Sequence, residues 1–274
     1  MTLLAQFDYT DADFNILASL IHQRVGIALH PNKKKLVYNR LVGRLRRHHF
    51  DSFAQYVRLL DDQHDREWEH FVNALTTNLT YFFREHYHFE LLKQHVKQHF
   101  ASRTRSQPLT IWCAACSTGE EAYSIAMTLA EAFQTSQPPV KILATDLNTS
   151  VLAHAKQGRY TLDQLGRVTQ EQVKRFFTYE KHTQVYEIKP EIKALVHFKR
   201  LNLVEDSWPM KKHFQIIFCR NVMIYFDKET QQRLLKRFAD YLPKGALLFL
   251  GHSENLASNM ECFKLLKQTT YRRV

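Results

Sequence analysis

The chain has 274 residues, 45% of them hydrophobic, enough for one large domain or a small and a medium one with real cores. Its formal net charge is +11 and it has only four cysteines, which excludes a disulfide-stapled scaffold and points to an acidic partner. No run of roughly 18 uncharged apolar residues occurs, and residues 1–9 lack a basic, apolar leader, so a cytoplasmic protein is expected.

The first hundred residues read as helices. Thr10 and Asp13 have capping-box spacing, and Phe14, Leu17, Ala18, Ile21 and Val25 follow at helical intervals. Pro31-Asn32 opens a second helix reaching about Phe50, with an apolar stripe of Val37, Leu41 and Leu45. Lys33, Arg40, Arg44 and Arg47 fall in one sector beside that stripe. Residues 51–60 and 66–75 predict two short helices, and a later one carries Phe89, Leu92 and Val96. Residues 101–108, polar and closed by Pro108, read as a linker.

Beyond the linker, strands alternate with helices: strand 109–115, helix 120–133, strand 140–145, helix 150–156, strands 196–200 and 215–219, helix 228–241, strand 246–251. This predicts an α/β domain with a mostly parallel sheet covered on both faces. Residues 262–273 predict an added antiparallel edge strand, and the period-2 stretch 179–188 an inserted hairpin.

In such sheets ligands bind beyond the carboxyl ends of the strands. Three strand ends are polar. Residues 114–121, AACSTGEE, pass from strand to helix without the glycines of a dinucleotide fingerprint. Glu121 there disfavours a pyrophosphate and favours a neutral or cationic ligand. Asp146 ends the second strand, where a carboxylate can accept both hydroxyls of a ribose; its alternative role is capping the next helix. Arg220 and Asn221 end a later strand ahead of Tyr225, and Asn202-Leu203 follow another in the same manner. Together these suit an adenosine with a ribose, an amino-acid tail and a sulfonium, that is, S-adenosylmethionine. Cys113 and Cys116 make a lone CxxC, and the 15 histidines lack HExxH spacing, so no metal is expected.

Five motifs in order carry a resemblance over nearly the whole chain: residues 78–85 (NLTYFFRE), 114–121 (AACSTGEE), 144–146 (ATD), 218–227 (FCRNVMIYFD) and 251–254 (GHSE). The chain resembles the CheR-type chemotaxis receptor methyltransferases. The resemblance implies an all-α N-terminal receptor-docking domain over 1–100, with a cofactor-contacting segment at 76–85. It implies a Rossmann-like S-adenosylmethionine-dependent methyltransferase domain over 101–274, with a small antiparallel β-subdomain inserted around 177–192. Cofactor contacts carry over to Asn78, Thr80, Arg84, Glu121, Asp146, Asn202, Leu203, Arg220 and Asn221. Arg84 and Tyr225 match positions that place the substrate carboxylate, and Lys33, Arg40, Arg44 and Arg47 match a basic receptor-docking helix. An ion pair of Arg84 with Glu85 or a neighbouring carboxylate is the competing structural role. The implied reaction esterifies receptor glutamates on cytoplasmic signalling helices, releasing S-adenosylhomocysteine, by a monomer that meets membranes only through its receptors.

Cys113, Ala122 and Gln215 depart from the serine, proline and aspartate usual in the family. The hairpin region 179–188 has no glycine and is short, which implies action without a tethered receptor tail. Two other classes fit the chain less well. A nucleic-acid methyltransferase suits the charge, but no basic-plus-aromatic single-strand platform is present. A scaffold that binds cofactor without turnover is opposed by the intact site residues.

Overall fold

The computed structural model describes residues 7–61, 65–211, 213–256 and 261–274. It divides into two compact units: Met1–Thr77 with Tyr225–Thr230, and Asn78–Ile224 with Gln231–Val274. Among the described residues no helix is long and apolar enough to cross a membrane.

The first unit contains α1 (Asp11–Val25), α2 (Lys34–Arg47), α3 (Phe53–Asp61) and α4 (Asp65–Leu75). The capping box forms as the sequence predicts: the Thr10 hydroxyl accepts from the Asp13 amide, and Asp13 accepts from the Thr10 amide. Gly26 ends α1 in the left-handed region, at φ 74°. Phe14, Leu17, Ile21, Val37, Leu41, Leu45, Phe53, Tyr56 and Phe71 are buried. Glu67, also buried, accepts from Arg44 Nε and Nη2 at 2.9 and 2.5 Å, from Tyr56 Oη at 2.7 Å, and pairs with His48 at 2.8 Å. Residues 225–230 return to this unit: Ala28 donates to the Tyr225 carbonyl, and His22 meets Asp227 at 2.7 Å.

The second unit begins with α5 (Tyr87–His99), then β1 (Leu109–Ala114), α6 (Glu120–Ala132), β2 (Val140–Asp146), α7 (Thr149–Gln157) and β3 (Arg159–Tyr160). It continues with α8 (Leu162–Leu165), α9 (Gln170–Phe176), β4 (Phe177–Glu180), β5 (Val185–Ile188), α10 (Pro190–Lys193), β6 (Val196–Arg200) and β7 (Ile216–Cys219). Helix α11 (Lys228–Tyr241), from Gln231 onward, with β8 (Leu247–Leu250), β9 (Phe263–Lys267) and β10 (Thr270–Arg273), completes it. One sheet has the order β6-β2-β1-β7-β8-β10-β9, parallel from β6 to β8 and antiparallel beyond. The chain runs outward from β1 to β2 and β6, then returns to start β7 on the other side of β1. That reversal is the topological switch point of a Rossmann-like fold.

Three expectations change. The break between units falls at 77/78 rather than 100, because Phe89, Leu92 and Val96 of α5 share a core with Leu109, Ile111 and Phe218. The C-terminal segment supplies two strands, and β10 lies between β8 and β9, so β9 is the edge. The small sheet has the order β3-β5-β4 and recruits β3 from outside the expected 177–192 insertion. A two-residue strand shows no alternation in sequence, so β3 left no signal.

Candidate functional site

Strand register sets out the site. Ala114 pairs with Thr145 and with Cys219, and Cys219 pairs with Leu250. Residues just past that row (Ala115, Asp146, Arg220 and Gly251) therefore share one rim at the carboxyl ends of β1, β2, β7 and β8.

The β1–α6 turn is built on left-handed residues: Ala115 at φ 65°, Ser117 at 50° and Gly119 at 100°. Gly119 has no room for a side chain, since a Cβ would lie 2.9 Å from both Ala155 Cβ and Tyr160 Oη. The turn aims the Ser117 amide at Asp146 Oδ2, 2.8 Å away, while the Ser117 hydroxyl donates to the Asn78 carbonyl at 3.1 Å. Asp146 Oδ1 accepts the Asn148 amide at 2.9 Å. The Leu147 amide adds a third backbone donor to this carboxylate. Burial raises the Asp146 pKa, opposed by these backbone donors. Helix α7 is capped by Asn148, whose side chain accepts from Ser150 and Val151, so Asp146 is not the cap. The Asp146 carbonyl accepts the Leu201 amide, which places Asn202 beside it in sequence order, and Asn202 Oδ1 accepts from Val204.

Arg220 is the hub of the β7 end. Its side chain has no solvent exposure. Nη1 donates to Glu121 Oε2 at 2.9 Å, and Nη2 to the Arg84 carbonyl at 2.5 Å and Glu85 Oε2 at 3.1 Å. Nε is buried without a hydrogen-bond partner among the described residues. One guanidinium thus serves two carboxylates, and the Arg84 charge also acts on Glu121. Burial raises the pKa of both acids most. On Glu121 it prevails over Arg220 and the Cys113 thiol; on Glu85 the added His252 amide and Asn221 side chain turn the balance and hold it down. Glu121 is therefore a paired acid, not the bare charge its position in the sequence suggests.

Arg84 does not pair with Glu85. Its Nη1 donates to the Leu79 carbonyl at 2.8 Å, and its guanidinium carbon lies 5.8 Å from the Tyr81 ring centroid. No carboxylate pairs with it among the described residues.

Asn221, at φ 58°, is held in place by Glu254, a role not assigned from sequence. Glu254 is 6% exposed. It accepts the Asn221 and Gly251 amides at 2.7 and 2.6 Å through Oε2 and the Met223 amide at 2.8 Å through Oε1. Glu85 and Glu254 both lie within recognised motifs, and an acid beside a strand-end glycine was the available signal for Glu254.

All nine expected cofactor residues belong to the second unit, while Tyr225 belongs to the first. Two of the four expected docking cations are already engaged. Arg40 donates to the Leu75 and Thr76 carbonyls at 2.7 and 3.0 Å, closing the end of α4, and Arg44 is committed to Glu67. Lys33 and Arg47 are exposed.

The site fits S-adenosylmethionine. Asp146 presents a carboxylate to vicinal hydroxyls at the end of β2, and the Glu85–Arg220–Glu121 triad sets two carboxyl groups at the same rim, where a sulfonium and an ammonium suit them. Residues 78–272 match the family described as CheR methyltransferase, SAM binding domain, and residues 12–76 match its all-alpha domain. A chemotaxis protein methyltransferase of Klebsiella aerogenes is 44% identical over 96% of this chain and 89% of its own length. The Escherichia coli chemotaxis protein methyltransferase is also 44% identical, covering 96% and 91%. Chemotaxis protein methyltransferase 2 of Pseudomonas aeruginosa is 44% identical, covering 97% and 94%.

Proposed function

Since this chain belongs to the CheR methyltransferase family and is an S-adenosylmethionine-dependent methyltransferase, we propose that it esterifies glutamate side chains on the cytoplasmic domains of chemoreceptors. The observation that carries this reading is Arg84, a cation without a carboxylate partner among the described residues, in the same segment as Asn78 and Thr80. A cation without an ion-pair partner suits an anionic acceptor.

When bound, the cofactor supplies an electrophilic methyl group. An acceptor glutamate oxygen gains the new O–C bond as the S–C bond breaks, and S-adenosylhomocysteine leaves. A carboxylate is ionised at neutral pH, so no strong base is needed and the protein's contribution is alignment. Asp146 would hold the ribose, and Asn78, Thr80, Arg84, Asn202, Leu203 and Asn221 would line the cofactor, with Glu121 and Arg220 fixing the β7 end. Arg84 pairs with the acceptor carboxylate. Tyr225 hydrogen-bonds it, a role resting on the motif resemblance alone. Lys33 and Arg47 supply receptor-docking charge, with Arg40 and Arg44 acting as structural cations of the same unit. The setting is the cytoplasm. Esterification removes one negative charge per site and shifts the receptor's packing equilibrium.

The test is mass-spectrometric mapping of a purified chemoreceptor cytoplasmic fragment after incubation with the chain and S-adenosylmethionine. Methyl groups on glutamates are expected; methylation confined to lysine, arginine or termini would overturn the reading.

A further inference from the structure

We propose that Arg167 is a second carboxylate-recognition residue, and that the substrate segment presents an acidic side chain beside the glutamate that is methylated. This deepens the function proposed above and rests on it for the identity of the substrate.

Tyr81 is 37% exposed, and the adjacent Leu79 is 71% exposed. Arg84 lies 5.8 Å and Arg167 5.3 Å from the one Tyr81 ring centroid. Arg167 reaches the ring from the loop between α8 and α9, where Gly166 ends α8. It is exposed and forms no hydrogen bond or ion pair among the described residues, and its guanidinium lies over the ring. The nearby acid Asp163 is engaged by Thr161 instead.

Two guanidiniums sharing one phenol ring repel each other, and a cation–π contact at an exposed site returns only about 0.5–1 kcal/mol. Arg84 acts on Glu121 only at a distance and neither guanidinium forms an ion pair among the described residues, so the pair can take up anions from outside the chain. Two carboxylates on one face of a helix, at i and i+4, stand about 5–6 Å apart at Cβ and can address both cations. The exposed Leu79 and Leu162, the latter 68% exposed, offer apolar contact to the same helix. The occupant is thus an amphipathic acidic helix: Arg84 takes the acceptor glutamate and Arg167 the second acid.

The experiment uses the full chain saturated with S-adenosylhomocysteine. Fluorescence anisotropy measures binding of a labelled helical peptide bearing two glutamates four residues apart, and of its counterpart with one glutamate changed to glutamine. Wild type is expected to prefer the two-glutamate peptide by about tenfold. Arg167→Gln should abolish the preference and Arg167→Lys should restore part of it, with S-adenosylhomocysteine affinity reporting an intact fold. An equal preference in wild type and Arg167→Gln, or none in wild type, overturns the proposal; either outcome alongside active glutamate methylation leaves the proposed function standing. An Arg167-dependent preference in a chain that methylates no glutamate sinks the function and keeps the surface.

Discussion

Arg220 and Glu121 stand 99 positions apart in the chain and meet at 2.9 Å, Nη1 to Oε2, with the Arg220 side chain fully shielded from solvent. Removing one partner of such a pair strands a buried charge, which costs about 3–5 kcal/mol. Arg220→Met is expected to lose stability on that scale in urea denaturation. S-adenosylhomocysteine binding should be lost even where the variant remains folded at low temperature. Full binding by a folded variant would remove Arg220 from the site.

Asp146 is held by the Ser117 and Asn148 amides, and the Leu147 amide also favours its ionised form. Asp146→Ala is expected to weaken S-adenosylhomocysteine binding at least about tenfold in calorimetric titration, the loss of one or more charge-assisted hydrogen bonds. An unchanged Kd would place the ribose elsewhere.

Glycine positions separate site from surface. At Gly251 a Cβ would lie 2.5 Å from Asn221 Nδ2 and 2.8 Å from the Asn221 amide, so Gly251→Ala must displace the Asn221 loop. A loss of about 1–3 kcal/mol is expected, with weakened cofactor binding. Gly43, inside α2 with nothing within 4 Å, is the control: Gly43→Ala should gain up to about 1 kcal/mol. Thermal denaturation of the two variants checks both signs.

Titratable groups in the two units should respond to acid in different windows. Burial, aided by the Arg220 charge, lowers the His88 pKa to about 3, and burial, aided by His99, lowers that of His95 to about 4. These folded values lie below the ordinary histidine value near 6.5, so the unfolded chain binds more protons in between. Stability from neutral His88 and His95 is full above about pH 6.5 and is lost as pH falls, by up to about 1.4 kcal/mol per pH unit for each group. Burial pushes Glu67 up, but hydrogen bonds from Arg44, Tyr56 and His48 outweigh it and hold the carboxyl at about 2. Its contribution is full above about pH 4.5 and is lost as pH falls towards 2. Burial raises the pKa of the Glu120, Glu121, Asp146 and Glu254 carboxyls of the second unit, which opposes the histidine slope. The histidine contribution is therefore read as a difference: in urea denaturation between pH 7 and 5, His88→Gln should lose less stability on acidification than wild type.

The parallel sheet was legible because β1, β2, β6, β7 and β8 are short apolar runs bounded by turn residues, and β6 falls at 196–200 as predicted. The unit boundary was not, because α5 has an ordinary amphipathic pattern that says nothing about which core it joins. Asp146 was legible from its place at a strand end. Glu254 stood in a recognised motif near a strand-end glycine, but its role was hidden, since it acts by collecting backbone amides and no spacing in the sequence marks an amide as unpaired. The engagement of Arg40 and Arg44 was equally hidden: a basic stripe reads alike whether its partners are solvent or the next helix.

The central claim is that the methyl group ends on a carboxylate oxygen, and esters differ from methylated amines in being cleaved by mild base. The most direct measurement incubates the chain with methyl-tritiated S-adenosylmethionine and a purified chemoreceptor cytoplasmic fragment, then treats the labelled fragment with dilute alkali. The account predicts label on the fragment that mild alkali releases as methanol. Label that resists alkali, or no label from a chain that binds S-adenosylhomocysteine, would contradict it.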